Sequence, residues 1–259
     1  MTKKYSAVHP PLIERLMEEN KAAPDKIKAV KTKLHQLYGA YTQDNAHKKA
    51  NAIITTLESE LTDIQSAALQ LLALHASTKE RLPSYTAFYD FILQHTGQVE
   101  SIMDIGCGYN PFSIPLIPNK TLQIYHAYDI DTRTADLINR YFKCLNLPPN
   151  AQCTDLAVHT PPQQADLALI LKLLPVLEAQ APGSGYKLAR SLNTRYLLIS
   201  YPLKSLGGRE KGMTKNYSTA FEKALSDGVL GNVELLNQQQ IGNELIYLLK
   251  NLPATNPHK

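Results

Sequence analysis

Two glycines closing an apolar run constrain this chain more than any other feature. Residues 101–105 read as a short β-strand, and Gly106-Cys107-Gly108 follow at once, with Tyr109, Asn110 and Pro111 next. A glycine pair there permits a tight turn and lets a ligand approach the backbone closely. The next predicted strand, 123–128, runs into Asp129, which stands 25 positions after Asp104. In doubly wound folds an acid at this place hydrogen-bonds ribose hydroxyls. A dinucleotide fingerprint would put a third glycine where this chain has Pro111, so the close helix approach that a pyrophosphate needs is not arranged. The loop instead suits a nucleoside without phosphates, such as S-adenosylmethionine. After a third predicted strand, 151–154, Asp155-Leu156 places another acid to reach an adenine amino group. Each feature alone is explained by turn glycines and helix-capping aspartates; the set points to a nucleoside site.

The flanking sequence supports an α/β architecture. Up to about residue 90 the chain reads as helical. Pro10-Pro11 opens a helix with Leu12, Ile13, Leu16 and Met17 on its apolar face, and Pro24-Asp25 punctuates it. Ile27, Val30, Leu34 and Leu37 recur at helical spacing, and Leu57, Leu61, Ile64, Ala68, Leu71, Leu72 and His75 predict one further helix. After Gly97 short β-rich runs alternate with helical stretches such as 134–145 and 185–192. Strands are predicted at 101–105, 123–128, 151–154, 166–171, 196–201, 233–236 and 244–249. Strand–helix alternation implies parallel βαβ units in a doubly wound sheet. The last two strands are too close for a crossover helix and predict an antiparallel hairpin. The expected domains are 1–90, helical; 91–252, α/β; and a loose tail, 253–259.

Composition removes several classes. With 259 residues, 44% hydrophobic and 19% charged, the chain can bury a sizeable core. The cysteines are three, Cys107, Cys144 and Cys153, with no C-x-x-C pair. A disulfide framework and a cysteine zinc site are not expected, and a reducing cytoplasm fits. The first residues lead into no apolar core, so no secretory signal is expected. The longest apolar stretch, 167–177, is broken by Lys172 and Pro175 and is too short to span a bilayer.

Charge is unevenly spread. The net charge is +4, yet residues 1–50 carry +5 and residues 187–223 carry +6, leaving −7 elsewhere. Two distant basic regions suit one footprint on a polyanion, although solvated helix faces give the same pattern.

Several unusual segments resemble one known family. They are 33–41, His75-Ala76-Ser77-Thr78-Lys79-Glu80-Arg81-Leu82, 104–111, Lys172-Leu173-Leu174-Pro175, 205–213 and 241–247. The chain resembles, over nearly its whole length, the 16S ribosomal RNA (guanine 1405 N7) methyltransferases of the Arm/Rmt type, which confer aminoglycoside resistance. The resemblance implies a Rossmann-like class I methyltransferase sheet behind an N-terminal all-helical, RNA-binding domain. It implies S-adenosylmethionine as donor, and 16S rRNA in the 30S subunit as substrate. A cytoplasmic monomer without metal or membrane attachment is expected. Cofactor contacts are implied at Tyr38, at His75, Ala76, Ser77, Thr78, Lys79, Glu80 and Arg81, and at Gly106, Asp129, Asp155, Leu156, Leu171 and Gln180. Arg81 would pair with the methionine carboxylate, a match for a guanidinium fork. Gly106 departs mildly from the family, whose members often carry alanine there.

The reaction so implied needs little acid–base machinery. Guanine N7 carries an in-plane lone pair and no proton near neutrality, so it can attack a sulfonium methyl directly. No Ser/His/Asp constellation and no metal-spaced cluster stands out in the sequence, so no catalytic acid–base residue and no metal ligand is expected. N7 faces the deep, narrow major groove of A-form RNA, so the base must be exposed before methylation. Lys204, Arg209 and Lys211 are expected to grip RNA near the flipped base, with Met213 against it. Tyr109 and Phe112 are candidates to stack on the base, core packing being the stronger expectation for Phe112. Adenine-N1 methylation in the same decoding region, a non-catalytic RNA-binding role and a nicotinamide-dependent dehydrogenase are the alternative functions. Pro111 disfavours the last.

Overall fold

The computed structural model describes residues 5–39, 45–59, 63–118, 121–203 and 213–253. All seven predicted strands form: β1 (Ser101–Ile105), β2 (Ile124–Asp129), β3 (Ala151–Cys153), β4 (Gln164–Leu171), β5 (Asn193–Pro202), β6 (Val233–Ile241) and β7 (Glu244–Asn251). They make one sheet in the order β3-β2-β1-β4-β5-β7-β6. The pairs β1/β4, β2/β3 and β4/β5 are parallel, while β5/β7 and β6/β7 are antiparallel. The expected α/β, mainly parallel arrangement is the one observed. Strands buried on both faces read as unbroken apolar runs. Leu167 to Ile170 of β4 and Leu197 to Ile199 of β5 are accordingly fully buried.

The hairpin forms, but β6 runs on to Ile241 and not to residue 236, so only Gly242 and Asn243 separate the strands. Gly242 has φ 55°, and a Cβ there would collide with the Ser84 hydroxyl, so the turn requires glycine. Gln238, Gln239 and Gln240 hid the extension. They lie on an edge strand with exposed side chains, and their pairing with β7 is a backbone matter that hydropathy does not reveal.

The chain divides into two compact units, each with its own internal packing. The first comprises residues 1–82, 106–116 and 124–159. Its helices are α1 (Pro10–Glu19), α2 (Lys26–Leu34), α3 (Ala46–Ser59), α4 (Ile64–Leu72), α5 (Ala76–Arg81) and α7 (Thr132–Cys144), α6 belonging to the other unit. Proline at the start of α1 and the Asp25 side chain capping the Lys28 N–H of α2 explain where these helices begin. Leu12 and Leu16 of α1 pack with Val8, Val30 and Leu34. Each fully buried leucine contributes about 2 kcal/mol. The single helix predicted through Leu57 and His75 is divided. The Asp63 carboxylate accepts the N–H groups of Gln65 and Ser66 and starts α4 afresh, and Leu61 lies outside the described residues. His75 lies on neither α3 nor α4. It takes an extended conformation and precedes α5.

The second unit comprises residues 83–105, 117–123 and 160–259. It holds α6 (Tyr85–Thr96), α8 (Leu174–Gln180), α9 (Ser184–Ser191) and α10 (Met213–Ser226). Phe221, Tyr201 and Tyr247 form an aromatic cluster there, with Phe221 and Tyr247 ring centroids 4.3 Å apart. Among the described residues no helix is long and apolar enough to cross a membrane.

Candidate functional site

The glycine loop lies in the first unit, where its backbone is tied to the end of β2. Gly106 and Gly108 have φ of 69° and 50°, the left-handed region that favours glycine. The Cys107 N–H donates to the Tyr128 carbonyl at 2.9 Å, and the Gly108 N–H donates to Asp129 Oδ2 at 2.9 Å. The Asp131 N–H donates to the other oxygen, Oδ1, at 3.0 Å. Burial pushes the Asp129 carboxyl up to about 6, against the pull of these backbone donors. The Ile130 N–H also donates to this carboxylate, and since a carboxylate offers about four acceptor positions, about one is left for a further donor.

Beyond the loop Asn110–Leu116 coil as a 3-10 segment; Pro111 in its first turn is tolerated, while Pro115 in its interior lacks the N–H that a continuing α-helix would need. Tyr109 and Phe112 turn inward and are buried, Phe112 as expected. Tyr109 was the other candidate to stack on a target base. Its ring instead stacks on His75 with centroids 5.4 Å apart, meets Phe112 edge-on, and its hydroxyl lies 3.3 Å from His47 Nδ1. In this arrangement the Tyr109 ring is engaged by His75 and Phe112.

The segment 75–81, distant in sequence, packs on this loop. A Cβ on Gly108 would come within 3.1 Å of His75 Cε1. The Thr78 hydroxyl donates to the Leu72 carbonyl at 2.6 Å, which anchors α5. Arg81 is buried, and its Nη1 donates to Asn110 Oδ1 at 3.1 Å. One helix face thus turns Thr78 and Arg81 inward, while Lys79 and Glu80 are exposed and His75, Ala76 and Ser77 are intermediate. Asn110 was not singled out from the sequence, yet it links the buried cation to the loop.

Two further polar links surround the loop. Asp131, fully buried, caps α7 by accepting the Arg133 and Thr134 N–H groups, and His47 Nε2 lies 3.1 Å from its Oδ2. Asp155, two residues beyond β3, is held by Arg15 of α1: Nε donates to Oδ2 at 2.8 Å and Nη2 to Oδ1 at 3.3 Å. The Ala157 N–H also donates to Asp155 Oδ1, at 3.1 Å. Burial alone would lower the Arg15 pKa, but hydrogen bonds to Asp155 and Glu19 outweigh it and raise the group. Leu156 beside it is buried. Neither Arg15 nor His47 carried a sequence signal for these contacts, since Asp155 and Asp131 lie 140 and 84 positions from them.

The remaining expected residues lie elsewhere. In the second unit Leu171 ends β4 and Gln180 ends α8. Lys172 follows Leu171 with φ 58°, rare for lysine. Its N–H donates to the Ser200 carbonyl at 3.0 Å, its ammonium lies 3.6 Å from Glu244, and the Ser200 hydroxyl donates to Glu244 at 2.5 Å. Tyr38 lies in a π-helical turn, His35–Gly39, and Met213 starts α10, each described by backbone alone. Lys204, Arg209 and Lys211 lie outside the described residues.

Comparisons with known proteins agree over nearly the full chain. The family model described as ribosomal RNA methyltransferase (FmrO) matches residues 1–248. A 16S rRNA (guanine(1405)-N(7))-methyltransferase of Serratia marcescens is 35% identical, covering 96% of this chain and 94% of its own length. The enzyme of the same description from Micromonospora echinospora is 31% identical, with coverage of 96% and 93%. Among solved structures, the 16S rRNA methyltransferase RmtF in complex with S-adenosyl-L-homocysteine superposes with a TM-score of 0.82 at 30% identity, over 96% of this chain and 93% of that one. The 16S rRNA methylase RmtB gives 0.80 at 30% identity, over 97% and 94%.

Proposed function

This chain belongs to the FmrO family of ribosomal RNA methyltransferases, and from that premise we propose that it methylates N7 of guanine 1405 in 16S rRNA with S-adenosylmethionine as donor. The observation that carries the cofactor reading is the coupling of Gly108 to Asp129 at 2.9 Å. The loop brings bare backbone and an acid with spare acceptor capacity to one place, the requirement for a nucleoside ribose. The residues present fit that group. Asp129 accepts beside the bare backbone of Gly108, and a buried arginine stands on the adjoining α5.

When bound, S-adenosylmethionine supplies an electrophilic sulfonium methyl, which the N7 lone pair attacks directly without a general base. The protein contributes binding and alignment. Asp129 takes the ribose hydroxyls, and Asp155 with Leu156 takes the adenine. Arg81, its orientation fixed by Asn110, pairs with the methionine carboxylate. His75, Ala76, Ser77, Thr78, Lys79 and Glu80 complete the segment against the donor, together with Tyr38 and Gly106. Net charge is conserved, because positive charge passes from sulfur to the purine.

Exposing the base costs a few kcal/mol. Phosphate contacts from the basic helices of residues 1–90 supply it and set register, while Lys204, Arg209 and Lys211 grip RNA near the flipped base and Met213 lies against it. The substrate is the assembled 30S subunit, and the enzyme works in the cytoplasm as a monomer without metal. Methylation adds bulk and positive charge where a cationic aminoglycoside ring would bind, which gives resistance.

The test is to incubate 30S subunits or protein-free 16S rRNA with the enzyme and donor, then map modification by primer extension and mass spectrometry. A single methyl on guanine 1405, in subunits far more than in free RNA, is the expected result. Subunits that come through unmodified refute the reading.

A further inference from the structure

We propose that Arg15 is a positioning residue for donor selectivity: through Asp155 it makes the enzyme distinguish a 6-amino purine from a 6-oxo purine. The inference rests on the reading above, in which Asp155 meets the adenine.

The argument begins with acceptor capacity. Asp155 is 3% exposed, so its oxygens are satisfied by protein and not by bulk solvent. Of about four acceptor positions on a carboxylate, three are filled: two by the Arg15 fork and one by the Ala157 N–H. One remains, on Oδ2. A planar guanidinium bonded at both oxygens fixes the plane of the carboxylate, and with it the direction of that last acceptor. Arg15 is itself braced one helical turn on, where Nη1 donates to Glu19 at 2.6 Å.

Selectivity follows from the same pairing. A carboxylate oxygen is an acceptor, so the aligned lone pair welcomes an exocyclic amine and repels a carbonyl oxygen at the same purine position. Without the Arg15 fork the carboxylate is free to turn, its last acceptor no longer points one way, and the preference erodes. The first helix of the chain thereby acts on a nucleobase it need not touch.

Calorimetry with S-adenosylhomocysteine and with S-inosylhomocysteine, its 6-oxo counterpart, tests this on the full chain. Wild type is expected to favour the adenine ligand by about tenfold or more. Arg15→Met should bring the ratio to within about threefold, and Arg15→Lys should fall between, since it restores charge without the fork. A role limited to holding α1 would weaken both ligands alike and leave the ratio unmoved, which overturns the proposal. Should Arg15→Met not fold, Arg15→Lys and a mild Arg15→Gln carry the same comparison. A wild type that binds the adenine ligand but ignores the 6-oxo change also overturns it. A wild type that binds neither ligand condemns the cofactor reading itself.

Discussion

The backbone N–H of Gly108 donates to the Asp129 carboxylate at 2.9 Å. The glycine turn and the acid that ends β2 are therefore one device, and neither is shaped without the other.

Replacing the acid should remove the ribose contact and slacken the loop together. Asp129→Ala is expected to weaken S-adenosylhomocysteine binding by about tenfold or more, read by calorimetry. Wild-type affinity in this variant would exclude the ribose assignment.

The same carboxyl predicts a pH dependence. Its pKa is raised to about 6 by burial, so it is an acceptor above that value and gains a proton below it. Cofactor affinity should therefore fall as pH drops through about 6, and Asp129→Asn should abolish that step while binding weakly throughout. For stability the sign is opposite. The folded chain holds this proton more tightly than the unfolded chain, so its contribution declines as pH rises from about 4 towards 6. A flat affinity profile from pH 7.5 to 5.5 in the wild type would contradict the assignment.

Gly108→Ala should be costly twice over. The residue sits at φ 50°, and the added Cβ would meet His75 at 3.1 Å. A loss of about 1–3 kcal/mol is expected from backbone strain, visible as a lower Tm, together with weakened cofactor binding. A variant with unchanged Tm would show that the loop relaxes without penalty.

Arg81 should be selective for one end of the donor. Arg81→Lys keeps a charge but loses the planar fork, so S-adenosylhomocysteine should bind about tenfold more weakly. Methylthioadenosine, which lacks the amino-acid carboxylate, should bind as it does to the wild type. Equal losses for both ligands would mean that Arg81 supports the fold and not the carboxylate.

On the RNA side, Arg209→Ala is expected to cut methylation of 30S subunits by about tenfold while S-adenosylhomocysteine affinity stays as in the wild type. Turnover equal to the wild type would take Arg209 out of the RNA contact.

What the chain's own order of residues determined was the frame. Strand runs, the Gly106-Cys107-Gly108 turn and Asp129 are local patterns, because turn chemistry and hydropathic period act over a few residues. Hydropathy failed at Gln238, Gln239 and Gln240, where backbone pairing on a sheet edge makes a strand without apolar side chains. Only tertiary packing decided that Tyr109 faces His75 and the core, that Asn110 meets Arg81, and that Arg15 closes on Asp155 across 140 positions. Such pairs join side chains through space. A buried charge must find its partner wherever the fold brings one, and no spacing along the chain encodes that meeting.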